Sequence, residues 1–138
     1  MTIDYRFPTR IKKIEEVQGP RVHMEPPPDD EERGEIMGRY AVSFAEWVFA
    51  LALWYLKLRF VYRWPIPRTR FHVDFYVQSA PQWALVDVRQ FRQGQEAGSQ
   101  RFRRAIIERK MGRPLHTVWD TELSTFEEGV NMVRKLTR

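Results

Sequence analysis

This sequence predicts an α/β fold with the element order α-β-β-β-α-β-α, on two patterns. Three runs rich in aromatic and β-branched residues follow one another between residues 60 and 88, broken by prolines, and a fourth lies at 115–119. Three segments with helix-like apolar spacing are placed before, between and after them. A chain of 138 residues, 43% of them hydrophobic, is long enough to bury one such core and too short for two.

Residues 1–40 read as an N-terminal arm, distinct from a domain at 41–138. Gly19-Pro20 breaks the chain, and Glu25-Pro26-Pro27-Pro28-Asp29-Asp30-Glu31-Glu32 combines a polyproline-like path with an acidic run that resists packing. Between Ile11 and Val17 a short strand and a helical turn fit equally well. The domain opens at Ser43-Phe44-Ala45-Glu46, which has capping-box spacing and leads into an apolar helix reaching about Leu58. Phe44, Trp47, Val48, Leu51, Trp54, Tyr55 and Leu58 surround that helix, so it is expected to pack on more than one side. Its apolar stretch is too short to cross a bilayer, which needs about 20 residues.

Strands are expected at Phe60–Trp64, Phe71–Val77 and Trp83–Val88, divided by Pro65/Pro67 and by Ser79-Ala80-Pro81. A second helix fits Ser99 to about Met111, closed by Gly112, with Phe102, Ile106 and Ile107 inward and its arginines mostly outward. After Pro114 comes the strand Leu115–Trp119. The last helix opens at Ser124-Thr125-Phe126-Glu127, again with capping-box spacing, and carries Phe126, Val130, Val133 and Leu136 on one face.

Charge divides the chain. Residues 1–40 hold seven Lys/Arg against nine Asp/Glu, net −2, whereas residues 41–138 hold sixteen against nine, net +7. Most of the excess is arginine, whose planar fork suits phosphate, so nucleic acid is a natural ligand class, with a plain solvated basic surface an equal alternative on charge alone. With no cysteine, thiolate zinc sites and disulfides are excluded, and an oxygen-ligated magnesium, manganese or calcium outranks zinc. The opening Met1-Thr2-Ile3-Asp4-Tyr5-Arg6 lacks the layout of a secretory signal, which gives a cytoplasmic expectation and no membrane partner.

Two strand-like runs each carry one carboxylate: Asp74 in His72-Val73-Asp74-Phe75-Tyr76 and Asp87 in Leu85-Val86-Asp87-Val88-Arg89. A buried carboxylate needs a cation, a hydrogen-bond network or a metal. Simple alternation puts Asp74 on a polar face with His72, Tyr76 and Gln78, opposite Phe71, Val73, Phe75 and Val77, whereas Asp87 shares its face with Trp83 and Leu85. For Asp87 an ion pair with an arginine of the basic helix competes with a metal, and for Glu46 helix capping is a sufficient role. His72 and His116 are read as structural. The five tryptophans are read as core, one of them open to stacking on a base if exposed.

The element order, with Glu46 opening the first helix, Val73-Asp74-Phe75 in the second strand, Leu85-Val86-Asp87 in the third, Arg104 and Gly112 around the second helix and Val118-Trp119-Asp120-Thr121-Glu122-Leu123 after the fourth, resembles the PD-(D/E)XK nuclease superfamily. The likeness covers residues 43–138 and is nearest to the very-short-patch-repair-endonuclease-like branch. It implies a restriction-endonuclease-like mixed sheet with helices on both faces. It also implies that Asp74 and Asp87 hold Mg2+ or Mn2+ and that Glu46 assists. The motif is degenerate: Arg89 stands where the superfamily places a lysine, and Gln90 and Gln93 stand where the branch has Gly and His. Arginine stays charged to above about pH 12, so Arg89 is suited to hold phosphate and not to act as a general base.

The function the resemblance implies is a metal-dependent DNA endonuclease. Its catalytic residues would be Glu46, Asp74, Asp87 and Arg89, with Arg89, Arg92, Arg101 and Arg104 along the nucleic acid, DNA ahead of RNA. Two alternatives stand beside it. One is a catalytically inactive relative that binds nucleic acid or a protein; the other is a phage structural or regulatory protein that recognises its partner through residues 1–40.

Overall fold

The computed structural model describes residues 43–78, 83–91 and 98–137, together with the backbone of three two-residue strands nearer the N-terminus. Those strands, β1 (Lys13–Ile14), β2 (Glu35–Ile36) and β3 (Arg39–Tyr40), form a small sheet in which β1 runs parallel to β2 and β2 antiparallel to β3. β1 and β2 lie beside α1 (Phe44–Tyr55). Within the segment that sequence left open, residues 13–14 are thus strand; the Pro-rich acidic run lies outside the described residues.

The main sheet has four strands, β4 (Arg59–Pro65), β5 (His72–Gln78), β6 (Trp83–Arg89) and β7 (Leu115–Trp119), in the order β4-β5-β6-β7. The first three form an antiparallel meander, and β7 runs parallel to β6 after a crossover through α2 (Gly98–Met111). α3 (Phe126–Leu136) follows a short 3-10 turn at Asp120–Glu122 and packs against α1. The molecule is therefore an α/β fold with a mixed sheet. Among the described residues no helix is long and apolar enough to cross a membrane.

Two apolar layers sandwich the sheet. On one face α1 and α3 bury Val48, Phe49 and Leu51, and Phe126, Val130 and Val133, against Phe60, Tyr62, Phe75, Val86 and Val118. On the other, Ile107 of α2 meets Val73, Leu85 and Leu115. Burying a side chain of this size contributes about 1.5–3 kcal/mol, so the larger layer under α1 and α3 dominates the fold's stability.

The caps and faces differ in detail from the sequence reading. Ser43 accepts a hydrogen bond from the Glu46 N–H at 3.2 Å, but the Glu46 carboxylate turns inward instead of closing the box. α3 is capped one residue later than expected, by Thr125, whose hydroxyl accepts from the Glu128 N–H at 3.1 Å. On α2, Phe102 points outward and is 64% exposed, while Arg103 and Arg104 share the sheet-facing stripe with Ile107. An arginine can line a helix–sheet interface when its head finds carboxylates and carbonyls there, and both of these do.

Alternation also breaks. Phe75 and Val77 lie under α1, but Val73, expected on the same face, packs under α2. Across the ladder Tyr62 is under α1 and Trp64 under α2, and the residue between them, Arg63, has φ +55. A left-handed residue inside a strand shifts the phase of every side chain beyond it. Arg63 thereby marks a kink at the rung that faces Asp74.

Candidate acidic centre and adjoining aromatic surface

Asp74 and Asp87 sit where β5 and β6 part. The regular ladder stops at Phe75 and Val86, and beyond it the two carboxylates stand in for backbone carbonyls. The Val88 N–H donates to Asp74 Oδ2 at 2.9 Å, and the Asp74 N–H donates to Asp87 Oδ1 at 3.2 Å. Each acid thus satisfies an amide of the opposite strand, a structural task that local sequence pattern does not reveal.

Asp87 is 1% exposed and takes every donor its two oxygens can hold. Arg103 reaches it with both nitrogens, Nη1 to Oδ2 at 2.6 Å and Nη2 to Oδ1 at 3.4 Å, and Nη2 also donates to the His72 carbonyl. Arg89 Nη2 adds a bond to Oδ2 at 3.3 Å and another to Gln100 Oε1 at 2.6 Å. Arg89 does not bridge the two aspartates. The competing sequence account of Asp87, a buried pair with an arginine of the basic helix, is the arrangement present, with Arg103 as that arginine.

Glu46, 4% exposed, accepts the Tyr62 hydroxyl at 2.7 Å. Burial pushes its carboxyl above the ordinary range, against the opposing effects of Tyr62 and Arg63. Asp74 moves further: burial first, then repulsion from Asp87 and Glu46, raises its carboxyl from 3.8 to about 7, although the Val88 N–H and Arg89 pull the other way. Arg63 donates to His72 Nε2 at 3.2 Å. Three carboxylates and three arginines, Arg63, Arg89 and Arg103, therefore share one end of the sheet.

A divalent ion was the partner expected for these acids. Asp74 Oδ1 accepts no hydrogen bond from the described residues, but both oxygens of Asp87 are committed to guanidinium and amide donors. Among the described residues no group of three or more His, Cys, Asp or Glu side chains is placed to hold a metal ion. As arranged, the donor set does not fit Mg2+ or Mn2+, which demand several uncommitted oxygens in near-octahedral array.

Of the arginines expected along nucleic acid, Arg89 is one-third exposed and tied to Asp87, and Arg101 is exposed on α2. Arg104 leans inward: it donates to the Leu115 carbonyl at 2.7 Å and to the Thr117 hydroxyl, which joins α2 to β7. Arg92 lies outside the described residues, as does Gln93. His116 is half-buried on β7, with no partner among the three acids.

Sequence did not single out Phe91. It is 59% exposed, and Trp119, paired with Arg89 in the β6–β7 register, is 36% exposed. Their rings meet edge to face at 5.7 Å and 87°. The Phe91 N–H donates to Asp120 Oδ1 at 2.8 Å, which ties the segment after β6 to the turn after β7. The signal available in sequence was an aromatic at the end of one strand, Trp119, and another two residues past the end of its parallel neighbour, Phe91. No family model, curated protein or solved structure matches the chain.

Proposed function

We propose that this protein is a nucleic-acid-binding domain on a nuclease-like core, taking a strand across the end of the sheet where β6 and β7 finish. The observation that carries this reading is the exposed Phe91–Trp119 pair held beside Arg89. Large apolar rings in water need a reason, and a base offers one: every base has a π-face, and stacking is worth about 1–3 kcal/mol per base. Arg89 and Arg101 supply cations at the same end and on the adjoining helix, and ligands of sheets with parallel strands gather beyond the strands' carboxyl ends. A single strand is favoured over duplex, because only unpaired bases present their faces.

The test is fluorescence anisotropy with a labelled single-stranded oligonucleotide. Phe91→Ala and Trp119→Ala are each expected to weaken binding by roughly 5- to 150-fold, the equivalent of about 1–3 kcal/mol, with circular dichroism unchanged. Wild-type affinity in both variants would remove the platform from the mechanism.

Metal-dependent DNA hydrolysis, the activity the family resemblance implies, is kept as a second reading because Asp74, with one oxygen uncommitted, lies against Asp87. It would use Glu46, Asp74, Asp87 and Arg89. Incubation with plasmid and single-stranded DNA in Mg2+, Mn2+ or chelator decides it: ion-dependent nicking that disappears in Asp74→Ala and Asp87→Ala would replace the binding-only reading.

A further inference from the structure

Asp87 is among the most buried polar groups in the described chain, and what neutralises it comes from the protein itself. Arg103 projects from the middle of α2 one turn before Ile107, which is fully buried, so the helix that carries the guanidinium is fixed against the sheet. Its side chain is 15% exposed. The fork takes both oxygens of Asp87 and reaches past them to the His72 carbonyl on β5, so one cation closes the gap between the parted strands. Planar bidentate pairing of this kind is what arginine does and lysine does not.

We propose that Arg103 is the resident counter-cation of the acidic centre, doing the work that a divalent ion would do there, and that the centre takes up no divalent ion while Arg103 is in place. A metal ion and the guanidinium would compete for the same lone pairs of Asp87. The guanidinium has the advantage of being covalently supplied at fixed position, whereas an ion must first lose water. Displacing Arg103 would also leave its own charge without its partner in a largely buried place. The inference stands apart from nucleic-acid binding and holds whether or not Phe91 and Trp119 stack on a base.

Thermal unfolding of the full chain, with chelator and with millimolar Mn2+ or Mg2+, tests it. The wild-type midpoint is expected to stay within about 1 °C across all three conditions, since a ligand that does not bind the folded state cannot stabilise it. Arg103→Met, which keeps the stem and removes the charge, is expected to melt lower in chelator and to rise on adding Mn2+. Arg103→Lys is expected to melt between Met and wild type, because it restores charge without the fork; it serves as the readable variant should the Met form not fold. A wild-type midpoint raised several degrees by Mn2+, or loss of the free-Mn2+ spin-resonance signal on adding wild-type protein, would overturn the proposal. So would a Met variant as stable as wild type in chelator.

Discussion

At the scale of single residues, Asp74 and Asp87 look alike in sequence and differ in their chemistry. Asp87 is surrounded by donors, while Asp74 holds one amide and is mostly buried near Asp87 and Glu46, so its carboxyl is pushed up to about 7. The sign of the pH effect follows. Between the unfolded value of 3.8 and about 7 the folded chain holds a proton that the unfolded chain has lost. Stability is therefore undiminished below about pH 4, falls as pH rises through this window, and has lost at most about 4 kcal/mol above it. Asp74→Asn keeps an acceptor for the Val88 N–H and removes the charge. It is expected to flatten the fall in urea-unfolding stability from pH 4.5 to 7.5, leaving a smaller slope from Glu46, whose shift has the same direction. An unchanged slope would mean that Asp74 ionises freely. The two aspartates were legible in sequence as carboxylates in apolar runs. Their partners were not, because Arg103 and Tyr62 lie sixteen residues from Asp87 and Glu46 and reach them only through the fold.

At the scale of elements, helix α3 depends on one absent side chain. A Cβ at Gly129 would stand 2.9 Å from Val48 Cγ1 and 3.2 Å from the Val48 carbonyl oxygen. Val48 is fully buried and its backbone is held in α1, so neither atom can give way easily. Gly129→Ala should gain up to about 1 kcal/mol of helix propensity and lose about 1–3 to overpacking, for a net loss near 1 kcal/mol in chemical denaturation. Combining it with Val48→Ala relieves the methyl clash but not the backbone one, so the pair should lose less than the two separate losses added together. A Gly129→Ala variant more stable than wild type would show that the helices separate freely. The order of elements was legible because caps, breaks and apolar runs are local signals. Phase was less so: α2 turns arginines toward the sheet because Asp87 and the Leu115 carbonyl need donors. Alternation in β4 breaks at Arg63, whose left-handed backbone no local pattern announces, and β5 changes face at the same rung.

For the molecule as a whole, the net +7 of residues 41–138 is spread over sixteen Lys/Arg and nine Asp/Glu, and only the cations beside the Phe91–Trp119 pair bear on a strand bound there. Arg103 and Arg104 are committed to the sheet and Arg63 to the acidic centre, whereas Arg89, bonded to Asp87 and Gln100, is still one-third exposed beside the ring pair. Binding carried by rings plus a few remaining arginines has a distinct thermodynamic form. Each phosphate neutralised contributes about −0.7 to the slope of log K against log salt on a single strand, and stacking contributes nothing to it. A surface using two or three arginines should therefore give a slope of only about −1.5 to −2, far shallower than the raw charge implies. Within that, Arg101→Ala should reduce the steepness by about 0.7, whereas Trp119→Ala should lower affinity at every salt concentration with the slope unaltered. Anisotropy titrations across a salt series measure both at once. A slope steep enough for six or more phosphates, or a slope that changes with Trp119 and not with Arg101, would mean that diffuse charge and not the aromatic platform carries the strand.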